Sequence, residues 1–141
     1  MANLTAPLPR TFRGIREMTT LPASGAIFQG ALVEEDANGR LQNATGAGTT
    51  FVGVAMQSAT AQGENVEVAQ QATVLLTVAK ATNWALTDVG VLVYASDGGD
   101  GFTLTSTSNQ SIGKVAEIVS GLGTGSAQVW VRIEGAAVRS I

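Results

Sequence analysis

The sequence contains neither histidine nor cysteine. Their absence excludes Ser-His-Asp and Cys-His nucleophilic catalysis, zinc sites built from Cys and His, haem ligation by His, iron–sulfur clusters and disulfides. Charged residues are scarce as well, at 13% of the 141 residues against an average of about 25%. Because so few residues are charged, Ser, Thr, Asn, Gln and Gly must cover much of the surface. A neutral surface with a net charge of only −3 favours association.

Long apolar runs are also missing. Pro7, Pro9 and three arginines interrupt the first 20 residues, where the apolar core of a secretory signal would have to lie. Residues 41–63 carry no charge, but polar side chains interrupt them throughout, so they do not form a membrane span. We therefore expect a soluble protein that is made inside the cell and does not bind membranes. Its length predicts one domain.

A change in composition near residue 22 divides the chain. All three prolines lie in residues 1–22, whereas sixteen of the seventeen glycines lie beyond them. Residues 1–22 hold three arginines and one glutamate, which gives +2, and the remainder holds five basic and ten acidic residues, which gives −5. Since proline disfavours helix interiors, we predict an extended N-terminal arm over residues 1–22 and a single β domain over residues 23–141.

Short apolar segments separated by glycine-bearing turns follow the arm. This spacing predicts an all-β fold, a compact β-sandwich or barrel of short antiparallel strands. At most one short helix is expected, near residues 82–89. Val129, Val131 and Ile133 alternate with polar residues, so the last strand should be half buried. The continuous apolar runs at residues 74–76 and 91–94 predict strands covered on both faces. The predicted strands are 26–34, 50–57, 65–70, 72–79, 89–96, 102–106, 112–120 and 127–134.

Two turns follow from their residue types. Asn38-Gly39 supplies the positive φ angles of a type I′ hairpin, and residues 97–101 form a second, glycine-rich turn. The hairpin over residues 52–68 resembles the one over residues 112–131, and we interpret these as two similar hairpins without a repeat architecture.

Three groups of residues resemble chemical sites but have simpler interpretations. Asp97 and Asp100 lack the spacing of a calcium loop and are typical of a turn. Glu34 and Glu35 are adjacent on a strand and point to opposite faces, so a solvated turn is favoured over an acid pair for glycoside hydrolysis. Residues 121–125 resemble a phosphate-binding loop, but they do not open a helix, so a hairpin loop is favoured. We expect no cofactor and no metal.

Apolar and basic residues alternate along the arm, which favours a binding segment over a disordered terminus. Such an arm can add backbone hydrogen bonds to another sheet while its arginines pair with carboxylates. Trp84 and Trp130 are candidate interface residues, and with Tyr94 they also allow a stacking platform for sugars or bases. The candidate contact residues of the arm are Leu8, Arg10, Phe12, Arg13, Ile15 and Arg16.

From about residue 25 to residue 134 the chain resembles the small all-β decoration, or cement, proteins of tailed-bacteriophage heads. The segments that carry the resemblance are Trp84–Tyr94, Phe102–Thr105, Ser111–Ala116 and Val129–Ile133. The resemblance implies a non-enzymatic virion protein. Its trimers would sit on the outer surface of the capsid and clamp neighbouring subunits of the major capsid protein. The arm lies outside the part that carries this resemblance.

Other classes of function remain open at this point. A carbohydrate- or cell-surface-binding β module would use the tryptophans, and an enzyme would have to work with carboxylates alone. Direct binding of nucleic acid is not expected, because no amphipathic helix of the kind that docks into DNA grooves is present.

Overall fold

Nine strands and one 3-10 turn form the part of the chain that the computed structural model describes, which is residues 3–44, 50–96, 101–106 and 109–135. The prediction of an all-β fold with at most one short helix is confirmed. The strands are β1 (Phe12–Pro22), β2 (Leu32–Glu35), β3 (Leu41–Asn43), β4 (Thr50–Ala55), β5 (Asn65–Ala79), β6 (Leu92–Ala95), β7 (Phe102–Thr103), β8 (Gln110–Ser120) and β9 (Ser126–Glu134), and the 3-10 turn is Leu86–Asp88.

The second half of β5 closes a small barrel with the four strands that follow it. β5 pairs with β9, β9 with β8, β8 with β6, and β6 with β7, all antiparallel. The circuit closes where Thr103 of β7 lies parallel to Ala79 at the end of β5. We call this circuit the C-terminal barrel.

The first half of β5 belongs to a second circuit. There β5 pairs with β1 and β4, β4 pairs with β2, and β2 pairs with β3. A parallel bridge between Leu41 of β3 and Ala23, directly after β1, completes this N-terminal barrel. Because Val74 pairs with Phe12 on one side and with Val131 on the other, β1 and β9 lie on opposite edges of the shared strand.

The two barrels have the same internal order. In the first half β2 pairs with β3 and β4, and β4 pairs with β5. In the second half β6 pairs with β7 and β8, and β8 pairs with β9. The turns before β2 and β6 also match. The Gly30 N–H donates to the Ala55 carbonyl and the Gly90 N–H to the Val115 carbonyl, with φ of +92° and +90° at the two glycines. The interpretation of two similar hairpins without a repeat is therefore too narrow.

Apolar side chains fill both barrels and the space between them. Gly113 of β8 lies so close to β9 that an added Cβ would overlap the carbonyl oxygen of Arg132. The core of the N-terminal barrel includes Leu21, Ile27, Val33, Leu41, Val52, Val66 and Val68. The larger core, which extends through the C-terminal barrel, includes Leu32, Phe51, Val54, Val74, Leu76, Val78, Trp84, Val93, Phe102, Ile112, Val115, Val129, Val131 and Ile133.

Several local predictions need correction. β5 is one strand of 15 residues rather than two. The loop after β2 spans residues 37–39 between Asp36 and Arg40, whose backbones are hydrogen-bonded, so it is longer than a two-residue type I′ turn. The expected half burial of β9 is confirmed. The apolar run at residues 91–94 is not covered on both faces, because Val91 and Leu92 are exposed by 39% and 40%. The turn predicted at residues 97–101, with both of its aspartates, lies outside the described residues except for Gly101.

Candidate interaction surface

Arg13 joins the arm to the C-terminal barrel. Its guanidinium carbon lies 4.9 Å from the centroid of the Trp130 ring, and its Nη1 donates to Oε1 of Glu117 at 2.6 Å. Trp130 and Glu117 are register partners on β9 and β8. The structure therefore brings together two of the residues singled out from the sequence, one in the arm and one in the last strand.

The arm before β1 lies against the turn that contains Gly30. The Leu8 N–H donates to the Gln29 carbonyl at 2.8 Å, and Nε of Arg10 donates to the Gly30 carbonyl at 3.0 Å. The Arg10 guanidinium also lies 5.4 Å from the centre of the Phe102 ring. Leu8 and Arg10 are thus held by their own chain in this structure.

The other arm residues divide between contact with the barrels and exposure. Phe12 is half buried against the larger core, and Nη2 of Arg16 lies 3.4 Å from the Ile133 carbonyl oxygen. Ile15 and Met18 are 41% and 42% exposed. Of the six arm residues predicted from the sequence, Ile15 therefore presents the largest apolar surface to solvent.

The two tryptophans have different environments. Trp84 is 2% exposed, and its Nε1 donates to the Val78 carbonyl at 3.1 Å. Its ring lies in the core of the C-terminal barrel, so the prediction that it is an interface residue does not fit the structure. Trp130 is half buried with Arg13 over its ring, which leaves it as the tryptophan of the candidate surface. Because Trp84 is buried in the core, the two rings do not form a shared stacking platform on the surface.

Five exposed apolar side chains lie along one edge of the C-terminal barrel. The segment before β6 is hydrogen-bonded to β8 between Gly90 and Val115 and between Val115 and Val91, while Trp84 is hydrogen-bonded to the turn after β8. These bonds place residues 84–91 beside β8 and the turn that follows it. We call the five side chains the apolar rim: Leu86, Val89, Val91, Val119 and Leu122, with exposures of 72%, 47%, 39%, 50% and 50%.

An ion pair fixes the 3-10 turn that carries part of the apolar rim. Nζ of Lys80 lies 2.8 and 2.7 Å from the two carboxylate oxygens of Asp88, and the Ala85 N–H donates to the same carboxylate at 2.8 Å. These hydrogen bonds, first that from Lys80, hold the pKa of Asp88 below its usual value. The ionised pair therefore positions Leu86 at the end of β5.

A shallow groove of about 170 Å³ lies next to the apolar rim. Leu92, Ser111, Gly113 and Lys114 line one wall, and Arg132 and Glu134 line the other. Lys114 pairs with Leu92 on one side and with Arg132 on the other, so the groove follows the outer wall of the barrel. Its mixed charges suit a polar margin around an apolar contact.

Glu34 and Glu35 are both buried. Glu34 is fully buried and accepts a hydrogen bond from Nε2 of Gln42 at 2.7 Å, and Glu35 is 6% exposed. The interpretation of a solvated turn was wrong for these two residues. Among the described residues, no group of three or more acidic side chains is placed to hold a metal ion. No helix in the same residues is long and apolar enough to cross a membrane.

The apolar rim was not found from the sequence. Its signal was the apolar run from Val91 to Tyr94, which was interpreted as a strand buried on both faces. Exposed apolar side chains gathered on one edge mark interaction sites in soluble proteins. Together with the exposed residues Ile15 and Met18 of the arm, this edge is the candidate interaction surface.

Comparison with known proteins finds a family model that is similar to the first half of the chain. Residues 5–70 match the family model of phage cement proteins, and the resemblance to phage head decoration proteins is confirmed. No curated protein matches the chain. The matched range includes the arm and β1 to β4, whereas the segments that carried the resemblance lie in residues 84–133, beyond the match. The family supports a structural role in binding a phage capsid and an association with the virion.

Proposed function

We propose that this protein binds the outside of a phage head as a trimer and stabilises the head by clamping neighbouring subunits of the major capsid protein. The observation that carries the proposal is the match of residues 5–70 to phage cement proteins. The proposed role is structural and involves no catalysis, cofactor, nucleic acid or membrane.

The stabilisation follows from linkage. A protein that binds the assembled shell and not its dissociated subunits shifts the equilibrium toward the shell. A trimer presents three copies of each contact, so weak individual contacts combine into a tight hold. The low charge of the chain, at 13%, and the five exposed residues of the apolar rim fit a surface that is covered in an assembly.

The arm is proposed as one capsid contact. Arg13 and Arg16 hold β1 on the C-terminal barrel, which leaves Ile15 and Met18 of the same strand exposed. Because β1 pairs with β5 along one edge, an apolar partner can reach these two side chains without displacing the arm. Leu8, Arg10, Phe12 and Arg16 then act by fixing the arm in place, and Arg13 and Ile15 lie closest to the partner.

The first experiment is saturation binding of the purified protein to mature heads that lack it. A plateau at a copy number set by the symmetry of the shell is expected, with heads that survive a higher temperature than bare heads. Sedimentation of the free protein should give three times the mass of one chain. Intact heads that take up no folded protein would refute the proposal.

A second experiment isolates the arm. Removal of residues 1–22 would also remove β1, which closes the N-terminal barrel, so the informative variants are deletion of residues 1–10 and Ile15→Glu. Both should weaken binding to heads at least tenfold while the protein remains folded. Thr77→Glu, at an exposed position of β5 that has no register partner in β1, is the control. Undiminished binding by both arm variants would remove the arm from the mechanism.

A further inference from the structure

The N-terminal barrel shows how this fold accepts an extended segment. Leu8 donates its N–H to the Gln29 carbonyl, and Arg10 donates to the Gly30 carbonyl. The backbone of Leu8 lies so close to Gly30 that an added Cβ would overlap the Leu8 carbonyl oxygen. The absence of a side chain at Gly30 therefore makes room for the arm.

The C-terminal barrel contains the same turn, and in the described part of the chain no segment covers it. Gly90 has the φ of Gly30, and its N–H makes the equivalent bond to β8. Apart from Gly90 itself and its two chain neighbours, no described residue has a heavy atom within 4 Å of the position that a Cβ of Gly90 would take. Gly30 is buried, whereas Gly90 is exposed. The carbonyl of Val89 corresponds to that of Gln29, which receives the N–H of the arm.

The residues around Gly90 are more apolar than those around Gly30. Val89 and Val91 replace Gln29 and Ala31, and they are 47% and 39% exposed. In the described part of the chain, the edge of β8 that faces β6 has no backbone partner after Val115. Val119 and Leu122 extend the exposed apolar surface along this edge.

We propose that the apolar rim around Gly90 binds an extended apolar segment of the major capsid protein, placed beside Gly90 as the arm is placed beside Gly30. The segment would donate an N–H to the Val89 carbonyl and lay apolar side chains on Val91 and Val119. An extended chain that lies on the turn in this way gains a backbone hydrogen bond as well as side-chain contacts.

The occupant follows from the internal repeat. The fold has two equivalent turns, and each chain has one arm, which is already seated on Gly30. Since no described segment of the chain lies on the turn at Gly90, we place a different chain there. The inference that this chain is the capsid protein rests on the proposed function, which makes the capsid the partner.

Cross-linking identifies the chain at the rim. Because the protein has no cysteine, Val119→Cys gives one unique thiol to which a short photoreactive group can be attached. On irradiated heads, the expected product has the mass of one copy of this protein plus one capsid subunit. Thr77→Cys carries the same group as a control and should give little of that product. A product of two copies of this chain, or no product on saturated heads, would overturn the inference.

Charge placed at the rim provides a second test. Val89→Glu and Val91→Glu should each weaken binding to heads at least tenfold, because a carboxylate would be buried beneath the partner. Both side chains are exposed, so the free protein should keep its unfolding temperature and its sedimentation. If both variants bind as the unchanged protein does, the inference fails and the proposed function stands. If the unchanged protein itself does not bind, both fail.

Discussion

The guanidinium of Arg13 lies between the Trp130 ring, 4.9 Å from its centroid, and the Glu117 carboxylate, 2.6 Å from Oε1. One residue of the first strand thus contacts the last two strands of the chain. Because β1 forms its strand pairs with β5, this contact connects β1 to the wall of the C-terminal barrel. With the contacts of Arg16 with Ile133 and of Arg10 with Phe102, it links the arm to the second half of the molecule.

Replacement of Arg13 by Ala should loosen the arm without unfolding the barrels. A cation–π contact and a surface ion pair together contribute about 1 kcal/mol at exposed positions, and both side chains of the ion pair are about half exposed. We expect a small fall in unfolding temperature, faster hydrogen exchange in β1 and a red shift of Trp130 fluorescence. Fluorescence and exchange spectra measure these effects.

Arg132→Ala is the matched control, since Arg132 lies two residues from Trp130 and its ion pair with Glu134 is long, at 3.8 Å. It should leave exchange in β1 unchanged. Equal effects of the two substitutions would show that general loss of positive charge, and not the contact with Trp130, holds the arm.

Asp88 should make stability depend on pH in acid. Its pKa is lowered in the folded protein by hydrogen bonds from Lys80 and Ala85, so its contribution is fully present above the unfolded value, about 4. The contribution is lost as the pH falls through the lower folded value. Asp88→Asn should therefore be less stable than the unchanged protein at pH 7, by about 1–3 kcal/mol, and the difference should shrink toward pH 2.

Urea unfolding at several pH values measures this difference. Lys80→Gln and the double variant complete the cycle, and the coupling energy between the two positions should decrease with the same pH dependence. A stability difference that stays constant between pH 7 and pH 2 would contradict the role given to the ion pair.

Local patterns predicted much of the fold. The strands β4, β8 and β9 lie close to their expected positions, because each shows apolar residues at the spacing of a strand next to a glycine-bearing turn. Alternation alone identified Val129, Val131 and Ile133 as the buried face of β9, and the structure confirms it. These features depend on residues near one another in sequence, and such patterns express them directly.

The features that sequence patterns missed depend on contacts between distant segments. The sequence predicts two strands that end and begin on either side of Gln71, yet β5 continues through this residue because it passes from one barrel to the other at this point. Glu34 looked solvated beside a turn, but Gln42 from the neighbouring strand covers and hydrogen-bonds it. Arg13 and Trp130 are 117 positions apart, and no local spacing relates them. Composition drew attention to the arm, whereas the contact of the arm with Gly30 depends on tertiary structure.

Trp84 and Trp130 should respond differently to the same substitution. Trp84→Phe replaces the buried indole with a smaller ring and leaves the Val78 carbonyl without the indole donor. The free energy of unfolding should fall by about 2–4 kcal/mol. Trp130→Phe keeps an aromatic face under Arg13 and should cost less than about 1 kcal/mol. Thermal unfolding of the two variants tests the assignment. A larger effect at Trp130 would contradict the placement of Trp84 in the core.

Glycine at position 113 is required by the closeness of β8 and β9. In Gly113→Ala the new methyl group would overlap the carbonyl oxygen of Arg132, and because this obstacle is backbone, the two strands must separate. Overpacking of this kind costs about 1–3 kcal/mol, and it should also disturb the groove between Lys114 and Arg132.

Gly14→Ala is the control, since open space surrounds that glycine in β1. Removal of its flexibility in the unfolded chain should raise stability by up to about 1 kcal/mol. Chemical unfolding of both variants should therefore give shifts of opposite sign, and a destabilised Gly14→Ala would show that β1 needs backbone freedom at that position in spite of the open space.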